Sequence, residues 1–234
     1  MTTYRDSSKK RLTDYPRPSV AVDTAVLTVH DGRLSVVLVQ KAEAGFDGWR
    51  LPGTFLHEGE TLADAVLRSL RDKAGITGLR PRQLHVFDAP ERDDRGWVLS
   101  VAHLVVVPQA SVELVEPDSA VGTGPSSRSV PSSRSVPRVE LTPWDAAHDL
   151  VYDHEQIIRM AVETLRASYA ALADPEQLLG ETFTLLELLR LHEAIAGRPM
   201  MKDTFRRHMR DQLIETDAYQ PGVVGKPAKL FRRR

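Results

Sequence analysis

Lys202, Thr204, Arg206, Arg207 and Arg210 fall on one face of a segment whose opposite face carries Phe205, Met209 and Leu213 at i, i+4 and i+8. Arginine reads guanine edges bidentately and also holds phosphates, so a helix of this kind suits a DNA major groove in either mode. Lys226 and Lys229, followed by Arg232, Arg233 and Arg234, suit a wing and tail laid over the sugar-phosphate backbone. The competing reading of the same residues is a solvated, solubilising face. Charge alone favours the second; a helix, a turn, a helix and a basic hairpin occurring together favour the first. From Arg198 to Arg234 ten Lys/Arg stand against Asp203, Asp211, Glu215 and Asp217. Arg5, Lys9, Lys10, Arg11 and Arg17 likewise outnumber Asp6 and Asp14 near the start, although the whole chain has a net charge of only −1. Two basic ends on a neutral protein point to a local anionic partner.

Other chemistry is sparser. His57, His85, His103, His154, His192 and His208 have no metal-ligand spacing, so no zinc site is expected. No Ser/His/Asp set stands out. With no cysteine there is neither a disulfide framework nor a thiolate site, which permits a cytoplasmic location. The polar, basic start lacks an apolar signal core, and no apolar run approaches ~18 residues, so no membrane association is expected.

The elements that must position these residues follow from pattern. At 234 residues, 41% hydrophobic and 27% charged, the chain can build two soluble domains. Val20–Val29 and Leu34–Gln40 flank His30-Asp31-Gly32-Arg33 and read as a hairpin. Thr61 opens a helix, with Asp64 as capping-box partner, an apolar face of Leu62, Ala65, Val66 and Leu70, and Gly75 at the left-handed end. Gln83–Ala89 and Trp97–Pro108 read as further strands, giving a mixed α/β domain. Residues 116–138 contain the repeat Pro-Ser-Ser-Arg-Ser-Val twice and read as a disordered insertion in a surface loop. A long helix from Asp153 or His154 to about Leu172 stops at Ala173-Asp174-Pro175. Thr184 and Glu187 cap a second helix that Gly197-Arg198-Pro199 breaks, a third spans about Lys202–Ile214, and Leu213–Asp217 with Ala228–Arg232 closes as a hairpin.

The segment from Leu51 to Ile76 resembles the Nudix box, a glycine and glutamate followed by an Arg-Glu-apolar-x-Glu-Glu-x-Gly-apolar run. Glu60, Arg68, Leu70, Gly75 and Ile76 are in register. In that box clustered glutamates hold a divalent ion against a diphosphate and activate water. Here Thr54, Ser69, Asp72 and Lys73 replace the glycine and the later glutamates. Lys73 puts a cation where the metal belongs, and Coulomb repulsion opposes metal binding. Positions 69, 72 and 73 lie within four residues, so their side chains are expected to converge toward the loop of Glu60. No catalytic and no metal-binding residue is therefore assigned.

The whole length resembles the Nudix-related (NrtR-like) transcriptional regulators of NAD metabolism. The matching stretches are Tyr15-Pro-Arg-Pro18, Trp49-Arg-Leu-Pro-Gly53, Phe87-Asp-Ala-Pro90 with Arg92-Asp93, Tyr152-Asp-His154, Phe183-Thr-Leu185, Gly197-Arg-Pro199, Phe205-Arg-Arg207 and Gly225-Lys-Pro-Ala-Lys-Leu-Phe231. The resemblance implies an α/β fold: a Nudix-type mixed sheet with helices, followed by a winged helix-turn-helix. It divides the chain into a basic arm 1–18, an effector-sensing domain 19–152, a linking helix 153–174 and a DNA-binding domain 175–234. It implies a homodimeric repressor that binds double-stranded operator DNA and senses ADP-ribose or a related NAD derivative, with no cofactor required. Arg50 and Arg92 suit a diphosphate, Phe46 or Phe55 an adenine, and Glu60 completes the expected effector site. Two other readings stay open: a weak pyrophosphohydrolase of ADP-ribose-like nucleotides retaining Glu60 and Asp72, and an adaptor whose winged helix contacts protein.

Overall fold

The computed structural model describes residues 4–40, 48–112, 138–220 and 227–234. Its larger sheet runs β4 (Arg82–Phe87), β5 (Val98–Val106), β1 (Ser19–His30), β2 (Arg33–Gln40), β6 (Arg138–Pro143), with β3 (Gly53–Phe55) also paired to β1. The β1–β5 pairing is parallel and the others antiparallel, a mixed sheet as expected. β1 and β2 meet at the His30↔Arg33 pair, where Asp31 and Gly32 both take positive φ, the geometry of a tight two-residue turn.

Both faces of this sheet are covered, which explains the nearly unbroken apolar runs in β1 and β2. Val22, Val26, Val37 and Val39 pack against Ala65, Val66 and Leu70 of α1 (Leu62–Ala74). Ala25, Leu27, Val36 and Leu38 pack on the other face against Ile157, Ile158, Ala161 and Leu165 of α2 (His154–Ala171). Alternation along each strand assigns successive residues to opposite helices. α1 begins at the Thr61–Asp64 capping box and ends at Gly75 with φ 68°.

Phe183–Thr184 forms a short strand, β7, before α3 (Leu185–Ala196) and α4 (Lys202–Met209), and β8 (Leu213–Tyr219) and β9 (Lys229–Arg233) form a hairpin. The small sheet runs β7-β9-β8. Phe183, Leu188, Phe205, Met209 and Leu213 form its core. Leu191 and Ile195 of α3 leave that core and join the one shared by α2 and the large sheet, so the C-terminal unit packs against the large-sheet domain.

Two sequence expectations need correction. The third helix does not reach Ile214: it ends at Met209, a 3-10 turn covers Arg210–Gln212, and Leu213 begins β8. Leu213 continues the helical spacing of Phe205 and Met209 only because the first strand residue also points into the core. Arg138, placed at the end of the insertion, opens β6, whose Val139 and Leu141 pack toward α1. The two serine-arginine repeats lie outside the described residues. β3 has no pattern of its own in the sequence, being three residues long, preceded by Pro52 and opened by Gly53.

Candidate functional site

A cavity of about 200 Å³ opens where β1, β3, the β4–β5 loop and the first residues of α2 meet. Four cations, Arg50, Lys73, Arg92 and Arg95, line it together with two carboxylates, Asp23 and Asp93. An anion with several oxygens suits such a lining. Gly53 allows the close approach that shapes it, since a Cβ there would stand 2.0 Å from Asp23 Oδ1 and 2.9 Å from the Val22 carbonyl.

The cavity floor is a buried polar network. Arg92, its side chain 3% exposed, donates to both oxygens of Asp153 at 3.0 and 2.5 Å and lies 3.7 Å from Asp23. Asp23 accepts from Ser100 Oγ at 2.6 Å and stands 3.4 Å from His154 Nε2. The Leu51 amide donates to His154 Nδ1 at 3.1 Å, which leaves the imidazole proton on Nε2, toward Asp23. Burial raises the Asp23 carboxyl, but His154, Ser100 and Arg92 outweigh it and hold it at about 2. The rim is aromatic. Phe55 and Tyr152 are 40% and 39% exposed, and the Arg95 guanidinium, paired with Asp93 at 2.7 and 2.8 Å, lies over both rings.

Of the four residues expected to hold an effector, the structure thus brings together Arg50, Phe55 and Arg92. Glu60 stands apart. Its two oxygens accept from Arg68 Nε and Nη2 at 2.7 and 2.8 Å, and Arg68 also reaches Thr54 and the Phe55 carbonyl. Arg68 and the His57 amide hold the Glu60 carboxyl at about 2. The expected convergence of positions 69, 72 and 73 does not occur. Ser69 is buried, Asp72 turns outward to pair with Arg71, and Lys73 reaches back to the Gly53 carbonyl on the cavity wall. These residues do not fit a divalent ion: one acid is neutralised, the other faces solvent, and a cation occupies the wall between. Among the described residues no group of three His, Asp or Glu is placed to hold a metal. Sequence reading missed Asp23, Lys73, Arg95, Tyr152 and His154 as wall residues, because they come from four separate elements. Phe46 lies outside the described residues.

The second site lies on the C-terminal unit. α4 buries Phe205 and Met209 and exposes Lys202, Thr204, Arg206 and Arg207, with exposed Arg210 in the turn that follows. Arg206, Arg207, Arg210 and Arg234 line a cleft of about 390 Å³ between α4 and the β8–β9 hairpin, with Asp211 and Glu215 at its edge. Lys229 is bound to Glu215 at 2.7 Å, and Lys226 lies outside the described residues. Arg233, expected with its neighbours over a backbone, turns inward instead. It donates to buried Asp174 at 2.9 and 3.2 Å and to the carbonyls of Leu179 and Gly180.

α2 joins the two sites. Its 18 residues span about 27 Å. Asp153 and His154 at one end belong to the cavity network. At the other end the Ala170 carbonyl meets His208 Nε2 at 3.1 Å, and the Ala171 carbonyl accepts from Gln212 Nε2 at 2.8 Å. Gln212 Oε1 in turn accepts from the Ala173 amide. Tyr169 Oη donates to Asp174 at 2.7 Å, and Asp174 also accepts from the amides of Leu178 and Leu179. α4 and the hairpin are therefore fixed to the far end of the helix that walls the cavity. No described helix is long and apolar enough to cross a membrane.

Comparison with known proteins agrees with this layout. The NUDIX domain profile matches residues 18–160, and that of the NrtR DNA-binding winged helix domain matches residues 175–233. The ADPR responsive transcriptional repressor NtrR of Acinetobacter baylyi is 28% identical over 94% of this chain and 83% of its own length. The crystal structure of Shewanella oneidensis NrtR complexed with a 27mer DNA is 30% identical, with a TM-score of 0.70 over 92% of this chain and 93% of that one. The NUDIX domain of the same protein complexed with ADP ribose is 26% identical, with a TM-score of 0.51 over 68% of this chain and 95% of that one.

Proposed function

We propose that this chain, which belongs to the NrtR-like Nudix regulators, is a transcriptional repressor that binds operator DNA through its winged helix and responds to ADP-ribose held in the Nudix-fold cavity. The observation that carries this reading is the span of α2 from the cavity network of Arg92, Asp153 and His154 to the contacts of His208 and Gln212. A ligand that alters the first set of contacts acts on the position of the second. Two sites on one rigid element meet the physical requirement for coupling, provided the ligand favours one arrangement over the other.

On the DNA side, Lys202, Thr204, Arg206, Arg207 and Arg210 enter the groove, while Lys226 and Lys229 serve the wing. Lys229 must exchange Glu215 for a phosphate to do so. On the effector side, Arg50 and Lys73 face the diphosphate, and Arg92 acts mainly by holding Asp153. Glu60 contributes by fixing Arg68, and through it Phe55. We read the unit of function as a homodimer controlling genes of NAD metabolism, matching the two-fold symmetry of most operators.

The Nudix resemblance also raises pyrophosphohydrolysis. The acids give no support to it, since Glu60 is neutralised by Arg68 and Asp72 faces away from the cavity. Incubation with ADP-ribose and magnesium or manganese decides the point: turnover near the ordinary enzymatic scale of about 10 per second overturns the sensor reading. The DNA reading is tested by gel shift with the duplex upstream of the protein's own gene, at stated salt. A complex that forms there and not on unrelated DNA supports it, and equal affinity for both refutes it.

A further inference from the structure

We infer that Phe55 and Tyr152 are the two walls of a slot for a planar base, and that Arg95 fills this slot until a base displaces it. The inference rests on the effector reading above and adds the place and chemistry of the base. Both rings line the cavity rim with about two-fifths of their surface exposed. The Arg95 guanidinium centre lies 5.4 Å from the centroid of one ring and 5.2 Å from the other. A flat cation lying over two aromatic faces at once takes up ring surface on which a flat heterocycle stacks.

The backbone at Tyr152 gives an independent reason. Its φ is 53°, in the left-handed region that a bulky residue rarely enters. Such strain persists where surrounding structure enforces it, commonly at ligand clamps. Here the enforcing contacts are visible. Asp153, next in the chain, is fixed by two bonds to Arg92, and His154 is fixed by the Leu51 amide. The Tyr152 ring is thereby held on the lining it shares with Phe55, whose own carbonyl is anchored by Arg68.

Arg95 is suited to leaving. Its side chain is 56% exposed, whereas its partner Asp93 is 2% exposed. Displacement costs the guanidinium one of its two bonds to Asp93, and the other lets it swing about a buried carboxylate toward the phosphate side of the cavity. The base would therefore gain two aromatic faces and release a cation toward the ligand's own anionic part.

Three probes separate the contributions: ADP-ribose, adenosine (a base without phosphate) and ribose 5-phosphate (a phosphate without base). Tyr152→Leu is expected to weaken ADP-ribose and adenosine binding about ten- to a hundredfold and to leave ribose 5-phosphate binding unchanged. Tyr152→Phe, which keeps the ring, retains near-normal affinity, and operator binding by both variants reports that they are folded. Arg95→Ala removes the competing cation, so adenosine should bind about two- to fivefold more tightly. Calorimetry suits the two phosphates, and ligand-observed NMR suits adenosine. ADP-ribose binding indifferent to Tyr152→Leu overturns the slot. Weaker adenosine binding in Arg95→Ala also overturns it, since Arg95 would then be the stacking surface. Failure of the unaltered protein to bind ADP-ribose overturns the effector reading itself, a separate result.

Discussion

Acidification should loosen the joint between α2 and α4 through a single imidazole. His192 of α3 is 2% exposed. Its ring lies edge-on to Tyr169 of α2 at 5.1 Å and to Phe205 of α4 at 4.9 Å. Burial drives its pKa down to about 4; Asp174 opposes that shift and His208 adds to it. Nε2 has no hydrogen-bond partner, so the neutral ring is tolerated but a charged one is not solvated. In the unfolded chain the same group titrates near its ordinary value of about 6.5. Between those two values the unfolded state binds more protons than the folded one. Stability owed to the neutral ring is therefore fully present above about pH 6.5 and is lost as pH falls toward about 4. The whole difference amounts to about 3 kcal/mol, of which about 2 kcal/mol is already gone at pH 5. Urea unfolding at pH 7.5, 6 and 5, at one protein concentration and followed by tryptophan fluorescence, measures it. Buried His103 titrates in the same direction, so the decisive quantity is the difference between the unaltered protein and His192→Phe. The variant should lose about 2 kcal/mol less between pH 7.5 and 5. Equal losses in both proteins would refute the assignment.

Replacing Arg206 and Arg207 together by Ala should weaken operator binding by about 1–3 kcal/mol per lost contact, with ADP-ribose affinity unchanged, as anisotropy and calorimetry can check. Asp174→Ala strips partners from Arg233, Tyr169 and two amides at once, and should cost about 3–5 kcal/mol in denaturant unfolding; a loss below about 1 kcal/mol would show that the network relaxes without it. Lys73→Glu reverses a charge on the cavity wall. It should weaken ADP-ribose binding in EDTA by about tenfold or more, and added magnesium should recover part of that loss. The unaltered protein should bind ADP-ribose equally well with and without EDTA.

The parts of this fold that were legible in the sequence are those governed by local rules. The Thr61–Asp64 and Thr184–Glu187 capping boxes both form, and Gly75 and Gly197 both close their helices with positive φ. The hairpin of β1 and β2 follows from its turn residues, and the stripe Phe205, Met209, Leu213 marks the buried side of α4 whatever its C-terminal limit. Long-range contacts were not legible. Nothing near Arg233 in the chain signals that it leaves a basic tail to bind Asp174, which is 59 residues away. Asp72 and Lys73 are adjacent, yet one faces solvent and the other the cavity, because neighbouring helical side chains diverge by about 100°. The cavity wall drew on positions from Ala21 to His154; Tyr152 and His154 stood in a family-like stretch without a role. Tyr152 acquires its role only from a backbone angle and a neighbour that pattern does not encode.

If one helix couples the cavity to the DNA-binding face, ADP-ribose and operator binding are thermodynamically linked, and both affinities can be measured. ADP-ribose affinity is measured by calorimetry for the free protein and for its complex with the operator duplex, and operator affinity is measured with and without saturating ADP-ribose at the same salt. Coupling through α2 makes the two ratios equal and different from one by about fivefold or more. If either ligand binds with the same affinity whether or not the other is present, α2 does not couple the cavity to the DNA-binding face.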